Sequence, residues 1–221
     1  MKTHTGGALM KYKGIIFDLD GVICSTDHYH YLAWKALADR LGVYFDETIN
    51  NRLRGVSRMA SLDIVLERSD RAYTPEEKAA FAEEKNNTYR ELLKNMSPAD
   101  LSPEVKETLD ALRSRGLLLG IGSSSKNTKF ILSRIGLGGY FDKISDGTNI
   151  SRSKPDPEVF LKAAEYLGLE PADCLVVEDA KAGVEAARAA GMDSAAIGDA
   201  AGCGLATYDL GRFSDLLSCV D

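Results

Sequence analysis

Lys13-Gly14-Ile15-Ile16-Phe17-Asp18-Leu19-Asp20-Gly21-Val22 decides how this chain is read. The apolar run from Gly14 to Phe17 is strand-sized and ends in acid, the pattern of a buried strand breaking into a loop. Asp18 and Asp20 therefore stand at the carboxyl end of a strand. Beyond Thr26 the pattern changes. Trp34, Leu37 and Leu41 recur at helical spacing, and a Glu/Lys-rich stretch runs on through Lys85 towards Asn95.

After Ser97-Pro98-Ala99-Asp100 strands and helices alternate. Val105, Leu109 and Leu112 form a helical stripe, Leu117 to Ile121 reads as a strand, and Asn127 to Ile135 as a helix. A short strand near Ile144, a helix from Pro157 to Leu167, a strand from Cys174 to Val177, a helix from Val184 to Ala190 and a strand around Ala195 to Ile197 follow. Such alternation predicts an α/β fold with a doubly wound, Rossmann-like parallel sheet. The all-helical stretch would then be a cap domain inserted after the first strand. The expected division is a core from residues 1–25 and 97–221 and a cap from 26–96, hinged near Thr26 and Ser97. Doubly wound sheets bind ligands at the carboxyl ends of their strands, where such a cap would close. The Gly/Ala-rich segment after Gly198 shows no clear period.

Composition narrows the classes. Of 221 residues, 44% are hydrophobic and 27% charged, which suits a globular core and excludes a disordered tail or a collagen-like chain. No apolar run reaches bilayer length, so no membrane partner is expected. Net charge is −6 without a Lys/Arg-rich run, so no nucleic-acid partner is expected either, and an anionic ligand would depend on individual cations. Cys24, Cys174, Cys203 and Cys219 are scattered, with no C-x-x-C pair, and read as structural thiols. The first ten residues lack a basic region followed by an apolar one, so a reducing cytoplasm is the expected compartment. No heptads appear, and a monomer is expected.

Four polar groups fall at the same sheet edge: Asp18 with Asp20, Ser123-Ser124-Ser125, Lys154-Pro155, and Glu178-Asp179. Taken singly, each has an ordinary explanation: an acidic helix start, a surface turn, a serine N-cap cluster. Taken together they suit phosphoryl transfer. Asp18, Asp179 and the nearby Glu178 offer the hard oxygens that Mg²⁺ prefers, with the backbone carbonyl of Asp20 as a further ligand. Lys154 would supply a fixed positive charge, and Ser123 a donor to the transferring oxygens.

Phe-Asp-Leu-Asp-Gly-Val at 17–22, Ser123, Ser-Lys-Pro at 153–155 and Glu-Asp at 178–179 resemble the haloacid-dehalogenase superfamily. The helical stretch narrows this. His28-Tyr29-His30, Ala33-Trp34-Lys35-Ala36-Leu37-Ala38, Gly55-Val56-Ser57-Arg58 with Ser61, and Lys85-Asn86-Asn87 resemble the β-phosphoglucomutase family, as do Ser97-Pro98-Ala99-Asp100 and Ser125-Lys126-Asn127. The resemblance implies Asp18 as a nucleophile that becomes an aspartyl phosphate, Asp20 as general acid and base, and Thr26 and His30 as residues that position Asp20. It implies that Arg58 grips the phosphate not being transferred and that Ser125, Lys126 and Asn127 meet the far side of a sugar phosphate. Ser61 and Lys85 match cap positions near the sugar. Read without the resemblance, His30 and Arg58 would be ordinary packing or surface residues, and Trp34 reads as core.

Ser25 stands where the family often has an acid, and residues 146–150 differ in detail. Three functions are weighed. The first is an isomerase that interconverts β-glucose 1-phosphate and glucose 6-phosphate through a bisphosphate. The second is a phosphatase built on the same core, which the core motifs do not separate from the first. The third, a non-enzymatic binding protein, is disfavoured because Asp18, Asp20 and Lys154 are all present.

Overall fold

The computed structural model describes residues 10–53 and 56–220. The amino-terminal stretch to residue 9 and Gly55 of the cap motif lie outside the described residues. Among the described residues six parallel strands form one sheet in the order β3-β2-β1-β4-β5-β6, with β1 at Gly14–Phe17, β2 at Leu118–Gly122, β3 at Lys143–Ser145, β4 at Cys174–Glu178, β5 at Asp193–Ala196 and β6 at Tyr208–Asp209. This is the doubly wound, Rossmann-like arrangement expected.

β1 and β4 are apolar without alternation because both faces of a central parallel strand are covered. Ile15 and Phe17 of β1, with Leu175 and Val177 of β4, join one apolar cluster; Ile16, Cys174 and Val176 join the other. The first face is covered by α5 (Pro103–Ser114), α6 (Thr128–Arg134) and α9 (Leu216–Cys219), through Leu109, Leu112, Ile131 and Leu216. The second is covered by α7 (Glu158–Leu167) and α8 (Lys181–Ala189), through Phe160, Ala163 and Ala187.

Between β1 and residue 97 the described chain is helical: α1 (Asp27–Leu41), α2 (Glu47–Asn51), α3 (Arg58–Leu66) and α4 (Pro75–Leu93). These helices have an apolar cluster of their own, including Trp34, Leu37, Phe45, Leu62, Val65 and Ala82. α4 starts firmly, with Pro75 in its first turn and a reciprocal capping box between Thr74 and Glu77. Its other end reaches the sheet, where Tyr89 and Leu93, with Met96 beyond the helix, join the cluster of β1. The return to the sheet is pinned by Arg134 of α6, which donates to the carbonyls of Lys94 at 2.6 Å and Met96 at 3.0 Å.

Two local expectations are corrected. α8 begins at Lys181, a turn before Val184, because the chain turns directly from β4 through Ala180, whose N–H donates to the Glu178 carboxylate at 3.1 Å. The segment after Gly198 adds a sixth strand, β6, which is only two residues long. So short a strand has no room for a readable period, and its pairing with β5 comes from tertiary packing.

Candidate active site

The sheet register assembles the core of the site. Phe17 is level with Ile121 on β2 and with Val177 on β4, so the residues that follow these strands emerge together. The Asp18 N–H donates to the Val177 carbonyl at 2.9 Å, and the Ser123 N–H to the Ser145 carbonyl at 3.1 Å. Asp18, Ser123 and Glu178 are all buried there. Lys154, just before α7, donates to Asp18 Oδ1 at 2.5 Å and also pairs with Glu178 Oε1. Removing one partner from such a buried pair costs about 3–5 kcal/mol, because the other charge is left stranded.

Asp18, Glu178 and Asp179 each present an oxygen within 4.8 Å of the others. Their crowding shows in their acidities. Burial first, then the charges of Asp18, Glu178 and Asp20, push Asp179 up to about 8. Burial pushes Glu178 up as well, and Lys154 draws it part of the way back. Burial disfavours the charge on Lys154, but Asp18 and Glu178 outweigh it and hold the ammonium charged. One lysine thus faces three carboxylates. This surplus of hard, negatively charged oxygens suits a divalent cation such as Mg²⁺.

Close backbone approach makes room for the acids. Gly21 has φ 81°, and a Cβ there would fall 2.0 Å from Asp179 Oδ2. On α8, a Cβ on Gly183 would fall 1.9 Å from the Glu178 carboxyl carbon.

Asp20 turns to the first connection. The Thr26 N–H donates to its Oδ1 at 2.6 Å and the Thr26 hydroxyl to its Oδ2 at 2.7 Å. Burial, reinforced by the charge of Asp18 and opposed by these two hydrogen bonds, raises its carboxyl to about 6. That lies close to neutrality, where a group both gives and takes protons efficiently. The Asp20 side chain is outside the three-carboxylate cluster of Asp18, Glu178 and Asp179.

His30, expected with Thr26 to position Asp20, faces Lys85 and Tyr89. Its Nδ1 lies 2.7 Å from Lys85 Nζ, and its ring stacks on Tyr89 at 4.1 Å. Burial, with the charges of Lys85 and Arg58, holds its imidazole well below the usual histidine range, and its Nδ1 shares a hydrogen bond with Lys85 Nζ. The group that reaches Thr26 is Tyr89, whose hydroxyl donates to Thr26 Oγ1 at 3.0 Å. Asp20, Thr26 and Tyr89 therefore form one chain of hydrogen bonds. Sequence reasoning missed Tyr89, although its place one helical turn from Lys85 was a usable signal.

Lys85 is buried between Trp34 and Tyr89, its Nζ 4.7 Å and 4.6 Å from the ring centres. Burial, with Arg58 nearby, lowers its ammonium to about 7, and Asp20 opposes the shift. Arg58 opens α3 and donates to Asn86 Oδ1 at 2.9 Å, and the same oxygen accepts from Asn127 Nδ2 at 3.3 Å. Asn127 belongs to the loop after β2, where the Ser125 N–H donates to Ser123 Oγ and the Asn127 N–H to Ser125 Oγ, each at 3.2 Å. Ser61 is buried on α3, and Lys126 is exposed at the loop tip. Asn86 stood in the quoted Lys85-Asn86-Asn87 motif, but the sequence reading gave it no role.

The haloacid dehalogenase-like hydrolase family matches residues 12–191, which span the whole acid and lysine cluster. The chain belongs to that family. Among haloacid dehalogenase-like proteins it is 41% identical over 188 residues to the β-phosphoglucomutase of Bacillus subtilis (strain 168), covering 84% of this chain and 83% of that one. The crystal structure of β-phosphoglucomutase from Clostridium difficile superposes with a TM-score of 0.85 at 38% identity, over 93% of each chain. The family likeness extends to a fructose-1-phosphate phosphatase of Escherichia coli (strain K12), 34% identical over 185 residues, covering 83% of this chain and 95% of that one. The resemblance to β-phosphoglucomutase read from the motifs is thus borne out across both the sheet and the helical insertion.

Proposed function

We propose that this protein is a β-phosphoglucomutase that interconverts β-glucose 1-phosphate and glucose 6-phosphate. The observation that carries the reading is the Arg58–Asn86–Asn127 contact, which sets a cation from the helical insertion against the loop that bears Ser123. Phosphoryl transfer at Asp18 needs one anion site, and a mutase needs a second.

In this reading Asp18 attacks the phosphorus of a sugar bisphosphate or another phosphoryl donor, the bond from phosphorus to the donor oxygen breaks, and the dephosphorylated donor departs, leaving an aspartyl phosphate that primes the enzyme. Asp20 takes the proton from a hydroxyl of the sugar monophosphate as that oxygen attacks the aspartyl phosphate. The bisphosphate reorients, Asp18 accepts the other phosphate, and Asp20 returns the proton to the departing sugar oxygen. Lys154 and Ser123 steady the oxygens in transfer, while Thr26, with His30 nearby, holds Asp20 in place. Arg58 grips the phosphate at rest through paired guanidinium hydrogen bonds, with Ser125, Lys126 and Asn127 on the core side and Ser61 and Lys85 towards the sugar. Asp18, Asp179, the Asp20 carbonyl and Glu178 would hold Mg²⁺, which supplies charge neutralisation between the carboxylate nucleophile and the phosphoryl oxygens.

The helical insertion would act as a cap that excludes water, hinged near Thr26 and Ser97. The same reading has a monomer working in a reducing cytoplasm, in keeping with four free cysteines. A second reading, a sugar phosphatase, draws support from the likeness to the Escherichia coli phosphatase. The test supplies enzyme, Mg²⁺, β-glucose 1-phosphate and a trace of glucose 1,6-bisphosphate, and follows glucose 6-phosphate and free phosphate together. Glucose 6-phosphate with little free phosphate is expected; phosphate alone would replace the mutase with the phosphatase.

A further inference from the structure

We infer that Asn86 is a positioning residue that presents Arg58 to the second phosphate with its charge undiminished, and so sets the preference for sugar phosphates that carry an anion far from the reacting centre. The inference rests on the reading of Arg58 as the residue that grips that phosphate.

Asn86 Oδ1 accepts from Arg58 NH2 at 2.9 Å and from Asn127 Nδ2 at 3.3 Å. Two donors converge on one atom, so that atom is the carbonyl oxygen of the amide. They come from separate parts of the fold: Arg58 from the first turn of α3, Asn127 from the loop after β2, and Asn86 itself from the middle of α4. A single side chain thus registers the guanidinium against the loop that carries Ser123 and Ser125.

The chemistry of the holder matters as much as its position. Burial disfavours the charge on Arg58, and Glu83 is among the groups that oppose this. A carboxylate at position 86 would hold the guanidinium more strongly, but it would also neutralise it and repel an arriving phosphate. The amide oxygen orients the guanidinium through one hydrogen bond and adds no net charge. The remaining guanidinium N–H groups stay available to a phosphate, with no anion at position 86 competing for them. Asn86 also makes the pair sensitive to how the helical insertion sits on the sheet, since Asn127 reaches it across that boundary.

The experiment compares Asn86→Ala, Asn86→Asp and Arg58→Ala with the wild type on two substrates. These are β-glucose 1-phosphate with a trace of glucose 1,6-bisphosphate, and p-nitrophenyl phosphate, which has no second phosphate. Loss of one charge-assisted hydrogen bond predicts a rise in KM for the sugar phosphate of about tenfold in Asn86→Ala, with kcat changed far less. Asn86→Asp, nearly the same size, should raise that KM further, because it adds a charge. In both variants the effect on p-nitrophenyl phosphate should be at least about tenfold smaller, since no second anion is bound. Circular dichroism and a thermal melt check that each variant folds.

A sugar-phosphate KM within about twofold of wild type in both Asn86 variants, while Arg58→Ala is impaired, would overturn the inference and leave the reading of Arg58 standing. So would equal losses on the two substrates, which would make Asn86 only a support of the fold. An Arg58→Ala enzyme with unchanged sugar-phosphate KM would overturn the reading of Arg58 and the inference with it.

Discussion

The Tyr89 hydroxyl lies 3.0 Å from Thr26 Oγ1, so a residue near the end of α4 is joined by hydrogen bonds to the Asp20 carboxylate beside β1. Tyr89 and Thr26 are both almost fully buried. Removing the tyrosine hydroxyl leaves Thr26 free to rotate and Asp20 less firmly aimed. Tyr89→Phe is expected to lower kcat about fivefold, the worth of one buried hydrogen bond, with a smaller change in KM. Thr26→Ala, which strips Asp20 of a direct donor, should cost more. Steady-state kinetics of the two variants checks the order.

Asp18→Asn should abolish turnover and the hydroxylamine-sensitive phosphoenzyme together, because the amide is not a nucleophile towards phosphorus. Asp20→Asn should still form the phosphoenzyme from a reactive donor such as acetyl phosphate, but pass it to sugar at least about a hundredfold more slowly, the usual worth of a general acid or base. Rapid isomerisation by Asp20→Asn would remove it from that role.

Lys85 gives a pH dependence of stability. In the fold its ammonium titrates near 7, and in the unfolded chain at about 10.4. Between those values the unfolded state binds the extra proton, so this contribution makes the protein more stable as pH rises through the window. Below pH 7 the full penalty of a buried charge applies. Lys85→Met should therefore stabilise the protein most at pH 6, on the order of 3 kcal/mol less the lost ring contacts, with the gain fading towards pH 10. Urea denaturation across that range checks it, and activity is expected to fall.

Asp179 works in the opposite sense. Its folded-state pKa is raised to about 8, against an ordinary 3.8, so across that interval the folded state holds the extra proton and stability falls as pH rises. Asp179→Asn should raise the melting temperature of the metal-free protein at pH 8. The same variant should lose most of the stabilisation that Mg²⁺ gives the wild type, which at a hundredfold excess over Kd is about 2.7 kcal/mol. Thermal melts with EDTA and with Mg²⁺ separate the two effects.

Gly183→Ala sets two effects against each other. Alanine is the better helix former by about 1 kcal/mol, but its Cβ would fall 1.9 Å from the Glu178 carboxyl carbon. Glu178 cannot easily give way, since Lys154 and the Ala180 N–H both hold its carboxylate. Overpacking should win, at about 1–3 kcal/mol, and Mg²⁺ affinity should weaken with it. A melting temperature at or above wild type would show that Glu178 moves freely.

Much of this arrangement was legible in the chain itself. Ile15-Ile16-Phe17-Asp18 announced a central strand ending in acid, and the same pattern at Val176-Val177-Glu178-Asp179 placed a second acid pair at the same edge, because a parallel sheet aligns the ends of its strands. The helical insertion was visible as a change of period. What the chain could not show is who meets whom. Lys154 and Asp18 are 136 residues apart, and a hydrogen bond over that distance follows from packing alone.

The same limit explains Tyr89 and Asn86. Helical spacing puts Tyr89 on the face of Lys85, but that it meets Thr26, and that Asn86 meets Asn127, follows from how α4 lies against β1 and the loop after β2. The two residues of β6 had no period to read, and only their place beside β5 makes them a strand. Acidity belongs to the same class: Asp20, Lys85 and Asp179 are shifted chiefly by burial. The sequence by itself determined the first five strands, the insertion and the residue types available for phosphoryl transfer, because periodicity and turn chemistry are local. The tertiary structure decided the partners, the orientations and the proton affinities, because these depend on distances and desolvation between segments far apart in the chain.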